Sequence, residues 1–142
     1  MLGMENLFKN KGLFSSGILH VSAHEAFELC NQGAILVDVR EEFLVMYKMF
    51  EVKETIFCPK SILEEKYLDL PKDKALIFAD ATGIHSKEAV LFLLEKGFKN
   101  IANLAGGLVE WERDGVPIKI DNNEMLTGSC TCQLRKRNIN KK

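Results

Sequence analysis

The stretch Ala75-Leu76-Ile77-Phe78-Ala79-Asp80-Ala81-Thr82-Gly83-Ile84-His85-Ser86 decides the fold of this 142-residue chain. Its first five residues are apolar, as in a buried β-strand, and the run up to Lys96 that follows Ser86 predicts a helix. A short loop between a strand and a helix can point several backbone amides at one spot, next to the positive end of the helix dipole. The sequence therefore predicts a concave anion site in this loop.

The segments on either side alternate between strand-like and helix-like patterns. Three further apolar runs, rich in β-branched residues, predict strands at residues 34–39, 54–58 and 100–104. Helical runs are predicted at residues 61–70 and 86–96. The alternation indicates an α/β fold of three layers, with a central, mainly parallel sheet and helices on both faces. Ligands of such sheets bind beyond the carboxyl ends of the strands, and the Asp80 loop falls at such an end.

The predicted domain has recognisable limits at both ends. Ser22 can cap a helix, with Glu25 three residues on as in a capping box, and Gly33 ends the run. The residues before this helix predict short turns, and those after Pro117 show little periodicity. We therefore divide the chain into an N-terminal lead-in at 1–20, one domain at 21–118 and a basic tail at 119–142.

Composition narrows the class of protein. The chain is 46% hydrophobic and 27% charged with a net charge of −1, which argues against a protein dominated by attraction to nucleic acids or membranes. No apolar run approaches the roughly 20 residues of a membrane span, and the start lacks a secretory signal. We expect a cytoplasmic protein with reduced thiols. Five of the 19 basic residues follow Glu124 and no acidic one does, so the remainder carries 14 bases against 20 acids.

Three signatures, in order, resemble those of the rhodanese-like family. Residues 36–41 (Leu-Val-Asp-Val-Arg-Glu) resemble its strand followed by Asp-x-Arg, and residues 80–86 resemble its active-site loop. Residues 104–111 (Leu-Ala-Gly-Gly-Leu-Val-Glu-Trp) are similar to its late Gly-Gly…Trp segment. The resemblance covers roughly residues 21–118. Residues 42–52 depart from it, being more apolar and aromatic than the polar, histidine-containing stretch usual there.

The resemblance implies a sulfurtransferase loop of the pattern Cys-x-x-Gly-x-Arg-Ser. The cysteine of such a loop takes sulfur from a donor such as thiosulfate, holds it as a persulfide and passes it to an acceptor. Gly83 and Ser86 fit the pattern, but Asp80 stands where the cysteine belongs and His85 where the arginine belongs. A carboxylate is already ionised at neutral pH and cannot form a persulfide. Histidine is mostly neutral at that pH, whereas arginine is always cationic.

These two replacements predict a degenerate loop that cannot carry sulfur by the family's route. The loop comprises Asp80, Ala81, Thr82, Gly83, Ile84, His85 and Ser86. Asp80 is interpreted first as a helix cap that fills the ring of amides. The alternatives are an acid–base carboxylate, a cation ligand paired with His85, or part of a recognition surface. Thr82 has no visible base beyond His85, and one Asp with one His falls short of the three or four protein ligands of zinc, so no metal or cofactor is predicted.

A second candidate for chemistry is the pair Cys130 and Cys132. These thiols lie one residue apart and close to Arg135, Lys136 and Arg137, a positive surrounding that favours thiolates. The pair suits a sulfur relay, a redox couple or half of an intermolecular metal site, and the alternative is a tail with incidental cysteines. Cys30 and Cys58, in apolar contexts, are interpreted as core residues.

The sequence therefore leads to two hypotheses of function. In the first, the chain is a rhodanese-like pseudoenzyme that serves as a binding or regulatory module for an unidentified protein partner. In the second, it is a sulfur carrier or thiol-redox protein, related to sulfurtransferases, that uses Cys130 and Cys132. Arg40 is expected to form a structural ion pair, Gly106 and Gly107 to allow a tight turn, and Trp111 to anchor the last helix. The sequence names no sulfur donor, acceptor or oligomeric state.

Overall fold

A six-stranded sheet lies at the centre of the chain in a computed structural model, which describes residues 7–45 and 47–120. Its strands stand in the spatial order β1-β2-β7-β6-β3-β5, and only the β1–β2 pair is antiparallel. A separate antiparallel pair joins β4 to β8. The strands are β1 (Leu13–Ser15), β2 (Ile18–Val21), β3 (Ile35–Asp38), β4 (Lys48–Phe50), β5 (Thr55–Phe57), β6 (Leu76–Ala79), β7 (Ile101–Leu104) and β8 (Ile118–Ile120).

Helices cover both faces of this sheet. The helices are α1 (Ala23–Asn31), α2 (Glu42–Val45), α3 (Leu63–Lys66), α4 (Ile84–Glu95) and α5 (Gly107–Arg113). One core packs α1 and α5 against Leu36 and Ile77, and the other packs α3 and α4 against Val37 and Phe78. Because successive strand residues face opposite sides of a sheet, every residue of β3, β6 and β7 is buried. The predicted three-layer α/β class is confirmed.

Helix α1 forms as its sequence predicts. The Ser22 side chain accepts a hydrogen bond from the Glu25 amide at 3.2 Å, and the Glu25 carboxylate accepts one from the Ser22 amide at 2.9 Å. This reciprocal capping box satisfies amides that have no partner within the helix. It fixes the start of α1 directly after β2.

The lead-in differs from its prediction. Short turns were expected there, but β1 and β2 form a hairpin that adds two strands to the sheet. Ser16 and Gly17 between them have φ values of 55° and 81°, as a two-residue hairpin turn requires. The N-terminal segment is therefore part of the sheet, with β1 at its edge.

One other segment is more irregular than predicted. The helical run expected at 61–70 consists of α3 between two short 3-10 turns, Lys60–Ile62 and Tyr67–Asp69. The junction residues Ile62 and Lys66 have φ values of −115° and −112°, which interrupt a continuous helix. Within the described ranges, no helix is both long enough and apolar enough to cross a membrane.

Candidate functional site

The Asp80 loop is shorter than the sequence predicts, because α4 begins at Ile84 and not at Ser86. Gly83 precedes the helix with φ of 94°, a left-handed conformation that glycine adopts without strain. The turn is also close to β7, because a β-carbon on Gly83 would lie only 3.1 Å from the Leu104 carbonyl oxygen. His85 and Ser86 are therefore residues of the first helical turn.

The Asp80 carboxylate lies inside this turn and is only 2% exposed. Its Oδ2 atom accepts a hydrogen bond from the His85 amide at 2.9 Å, and its Oδ1 atom accepts one from the Gly83 amide. The Ser86 hydroxyl lies 3.3 Å from Oδ1. The side chain thus caps the start of helix α4, as the helix-cap interpretation predicts, and the amides of Gly83 and His85 that it occupies are called the ring of amides below.

A buried polar network continues from the loop towards the N-terminal hairpin. The Ser86 hydroxyl donates to Asn103 Oδ1 at 2.5 Å, and Asn103 Nδ2 donates to the Gly83 carbonyl at 3.3 Å. Asn103 Nδ2 also lies 3.1 Å from Nδ1 of His20. Because the Gly83 carbonyl can only accept, it sets the orientation of the Asn103 amide. Asn103 therefore ties β7, the Asp80 loop and β2 together.

The start of α5 holds the loop from its other side. The amides of Leu108 and Val109 donate to the carbonyls of Asp80 and Ala81 at 2.9 and 3.0 Å. A β-carbon on Gly107 would lie 2.5 Å from the Asp80 carbonyl oxygen, so the close approach requires glycine. The expected role of the Gly-Gly pair in a tight turn is confirmed.

A buried ion pair supports the strand next to the loop. Arg40 binds Asp38 through Nε at 3.0 Å and Nη2 at 2.8 Å, and Nη2 also donates to the Lys48 carbonyl at 2.8 Å. Burial raises the pKa of Asp38, and Arg40 acts in the opposite direction. The structural ion pair predicted for Arg40 is confirmed.

The expected anchor for α5 is also present. Trp111 is fully buried, and its ring nitrogen donates to the Pro117 carbonyl at 2.7 Å. Its ring packs edge-on against Phe27 and Phe50, with centroid distances of 6.2 and 5.0 Å. These contacts fix the helix whose first amides bind the Asp80 loop.

A small pocket of about 330 Å³ opens beside the loop. Its lining includes Asp80, Ala81, His85, Arg40, Glu41, Leu44, Lys60 and Ser61. Most of its charges are already engaged: Lys60 pairs with Glu88 at 2.6 Å, and Glu41 accepts from the Ser61 hydroxyl at 2.9 Å. The pocket therefore has few uncompensated charges.

His85 and Asp80 share a pocket but do not form a catalytic pair. The contact between them uses the backbone amide of His85, and the imidazole is 67% exposed, with Nδ1 4.0 Å from Glu88. Among residues 7–45 and 47–120, no group of three His, Cys, Asp or Glu side chains could hold a metal ion. This arrangement does not favour the cation-ligand and acid–base alternatives.

The remaining residues of the predicted site divide between surface and core. Thr82 and Ile84 are exposed, whereas Ser86 is buried in the polar network. Asn103 and His20 were missed by the sequence analysis. A polar residue inside the apolar strand Ile-Ala-Asn-Leu was the available signal for Asn103. Cys130 and Cys132 lie outside the described residues.

Cys30 and Cys58 are buried core residues, as predicted. Burial raises the pKa of the Cys30 thiol to about 12 and also raises that of Cys58. We expect iodoacetamide at pH 8.5 to modify Cys30 in the folded protein about a thousandfold more slowly than an ordinary thiol, which is half ionised there. Peptide mapping after timed labelling would measure this rate. Labelling in urea provides the control, and fast modification of the folded protein would contradict the assignment.

Comparison with known proteins agrees with this architecture. The rhodanese-like domain profile matches residues 22–114. The thiosulfate sulfurtransferase GlpE of Haemophilus influenzae is 30% identical over 98 residues, which cover 69% of this chain and 91% of that protein. The GlpE of Actinobacillus pleuropneumoniae serotype 7 is 30% identical over 107 residues, covering 74% and 96% respectively.

A solved structure agrees as well. The crystal structure of a rhodanese-related protein from Thermoplasma volcanium superimposes with a TM-score of 0.65 at 30% sequence identity. The match covers 72% of this chain and 98% of that one. The chain therefore belongs to the rhodanese-like domain family, and its relatives include sulfurtransferases.

Proposed function

We propose that this chain is a rhodanese-like pseudoenzyme that acts as a binding or regulatory module and does not transfer sulfur through the Asp80 loop. The observation that carries the proposal is the position of the Asp80 carboxylate, buried within the ring of amides at the start of α4. In the family pattern that the sequence resembles, this is the place of the sulfur-carrying cysteine. The proposal assigns the loop a structural charge in place of a nucleophile.

The chemistry of the carboxylate supports this proposal. Sulfur transfer requires a thiolate that attacks the donor, forms a sulfur–sulfur bond and later releases its outer sulfur. A carboxylate oxygen cannot form a persulfide. Asp80 also accepts from the amides that would otherwise stabilise an incoming anion, so a thiosulfate ion would have to compete with a covalently attached negative charge.

The residue at position 85 supports the same conclusion. The His85 side chain points to solvent beside Glu88 and presents a single ring, whereas an arginine there would offer two parallel donors to an oxyanion. Leu44 lines the pocket and is exposed, and the apolar side chains of Ile84 and Val109 are exposed at the starts of α4 and α5, the two helices that hold the loop. Such a rim suits contact with a protein partner more than with thiosulfate.

The proposal is tested by sulfur loading of Asp80→Cys, with Asp80→Ser as the matched control. We expect the natural chain to show no thiosulfate:cyanide sulfur transfer and Asp80→Cys to gain the mass of one sulfur atom on residue 80. Intact mass spectrometry with peptide mapping measures this gain after incubation with thiosulfate or a small persulfide. Loading of the natural chain on a residue of the loop would overturn the proposal. A folded Asp80→Cys variant that never gains sulfur would show that the amide ring does not support persulfide chemistry.

The second hypothesis places sulfur or redox chemistry on Cys130 and Cys132. It is supported by the spacing of the two thiols and by the basic residues that follow them. The same mass measurement separates it from the first, because the added sulfur would map to the tail. Replacement of both cysteines by serine should abolish that loading, and loading that persists would remove the hypothesis. A cytoplasmic location stays a prediction from the sequence.

A further inference from the structure

A second and larger cleft lies at the end of the sheet opposite the Asp80 loop. Its volume is about 760 Å³, within the range of small-molecule sites. It lies between residues 8–19, the last turn of α4 and the start of β7, where Leu94 and Asn100 line it. The Asp80 loop precedes α4, whose 12 residues span about 18 Å. The cleft is therefore separate from the site described above.

The charges that line this cleft are all positive. Lys9, Lys11 and Lys99 line it, and no acidic residue does so among the described residues. Within residues 7–45 and 47–120, no carboxylate lies within ion-pair distance of these three lysines. Glu25, among the described residues, is influenced by one of these lysines, Lys11. The Ser22 amide is the main cause of its lowered pKa, and Lys11 contributes weakly.

This local excess of positive charge contrasts with the rest of the domain. Excluding the tail after Glu124, the chain has 14 basic and 20 acidic residues. A basic cleft in an acidic surface concentrates anions at one place, and its low-dielectric walls focus that attraction. Lys9 and Lys99 are the stronger candidates for anion contacts, because Glu25 partly compensates Lys11.

The same cleft has an apolar wall. The Phe14 side chain, on edge strand β1, is 78% exposed, and Leu94 is 36% exposed. Buried residues, including Ile101 and Val90, form the floor beneath them. Exposed apolar side chains beside cations that form no ion pair with another described residue favour a ligand that has both an apolar body and a negative group.

We propose that this cleft binds a small organic anion with an apolar body and a carboxylate, sulfonate or phosphate group. The anionic group contacts Lys9 and Lys99, and the apolar body covers Phe14 and Leu94. The volume of the cleft, its three lysines and its apolar wall all favour this class of ligand. The proposal does not depend on the chemistry of the Asp80 loop.

The test uses the full chain and 8-anilinonaphthalene-1-sulfonate, a fluorescent sulfonate with an apolar body. We expect 1:1 binding, with amide chemical-shift changes in residues 9–14, 90–94 and 99–101. Lys9→Glu/Lys99→Glu should weaken binding about tenfold or more, since two attractive charges become repulsive. The control variant Lys53→Glu/Lys119→Glu makes the same change in net charge outside the cleft and should leave the affinity unchanged. The uncharged analogue N-phenyl-1-naphthylamine should bind more weakly than the sulfonate.

Three outcomes would overturn the proposal. Equal loss of affinity in both charge-reversed variants would assign binding to net charge and not to the cleft. Chemical-shift changes confined to the Asp80 loop and its apolar rim would place the sulfonate elsewhere. Binding of the acidic peptide Ac-Glu-Asp-Phe-Glu-Leu-NH2 to the cleft, without binding of the sulfonate, would assign the cleft to a partner protein. Circular dichroism of each variant would verify that it is folded.

Discussion

Replacement of Arg40 by methionine should lower the free energy of unfolding by about 3–5 kcal/mol at pH 7. Asp38 is fully buried and accepts three hydrogen bonds from the guanidinium, which also donates to the Lys48 carbonyl. Methionine fills much of the volume but leaves Asp38 without a counter-charge, so that the buried carboxylate either stays charged without a partner or has to take up a proton. Urea unfolding followed by circular dichroism would measure the loss.

The same variant should respond to pH in a defined direction. Burial raises the pKa of Asp38, and removal of the guanidinium takes away the main influence that lowers it. In the variant, the folded state therefore holds a proton that the unfolded state releases above about pH 4, so stability should increase as the pH falls from 7 towards 5. Asp38→Asn/Arg40→Met removes the charge and should recover part of the stability without this response. If Arg40→Met lost the same free energy of unfolding at pH 7 and at pH 5, relative to the natural chain, this explanation would be wrong.

Replacement of Asp80 by alanine should lower the free energy of unfolding by about 3 kcal/mol. The amides of Gly83 and His85 lose their acceptor in a buried turn, and the start of α4 loses its only capping carboxylate among the described residues. Asp80→Asn retains one side-chain oxygen and should lose about 1 kcal/mol. Thermal unfolding of the two variants side by side would measure the difference.

The alanine variant should also acquire a new dependence on anions. With the carboxylate gone, the ring of amides can accept a free anion, which stabilises the folded state in proportion to its occupancy. Thiosulfate should raise the unfolding temperature of Asp80→Ala more than that of Asp80→Asn, at matched ionic strength. Two results together would contradict this role of the ring as an anion site. Asp80→Ala would lower the free energy of unfolding no more than Asp80→Asn, and thiosulfate would raise the unfolding temperatures of both variants equally.

Much of the fold could be predicted because its signals are local. The strands β3, β6 and β7 are short, mainly apolar runs, and the three β-branched residues in 34–39 mark the first of them as buried on both faces. The capping box at Ser22 and Glu25 lies within four residues of sequence. The role of Asp80 as a cap also followed from its place between a strand and a helix.

The missed features depend on long-range contacts or on unusual backbone conformations. The network through Asn103 joins His20 and Asn103, which are 83 residues apart, and no pattern in one sequence records such a contact. The N-terminal hairpin depends on positive φ values at Ser16 and Gly17, and serine is an uncommon residue for that conformation. The early start of α4 depends on the left-handed Gly83.

The amides of Leu108 and Val109 hold the Asp80 loop through its carbonyl oxygens, and neither contact involves the side chain at position 80. Part of what holds the loop backbone in place is thus independent of the side chain at position 80. We therefore expect a substitution at position 80 to keep these two backbone hydrogen bonds. They give the Asp80→Cys variant a loop that stays attached to α5 while the side chain under test is exchanged.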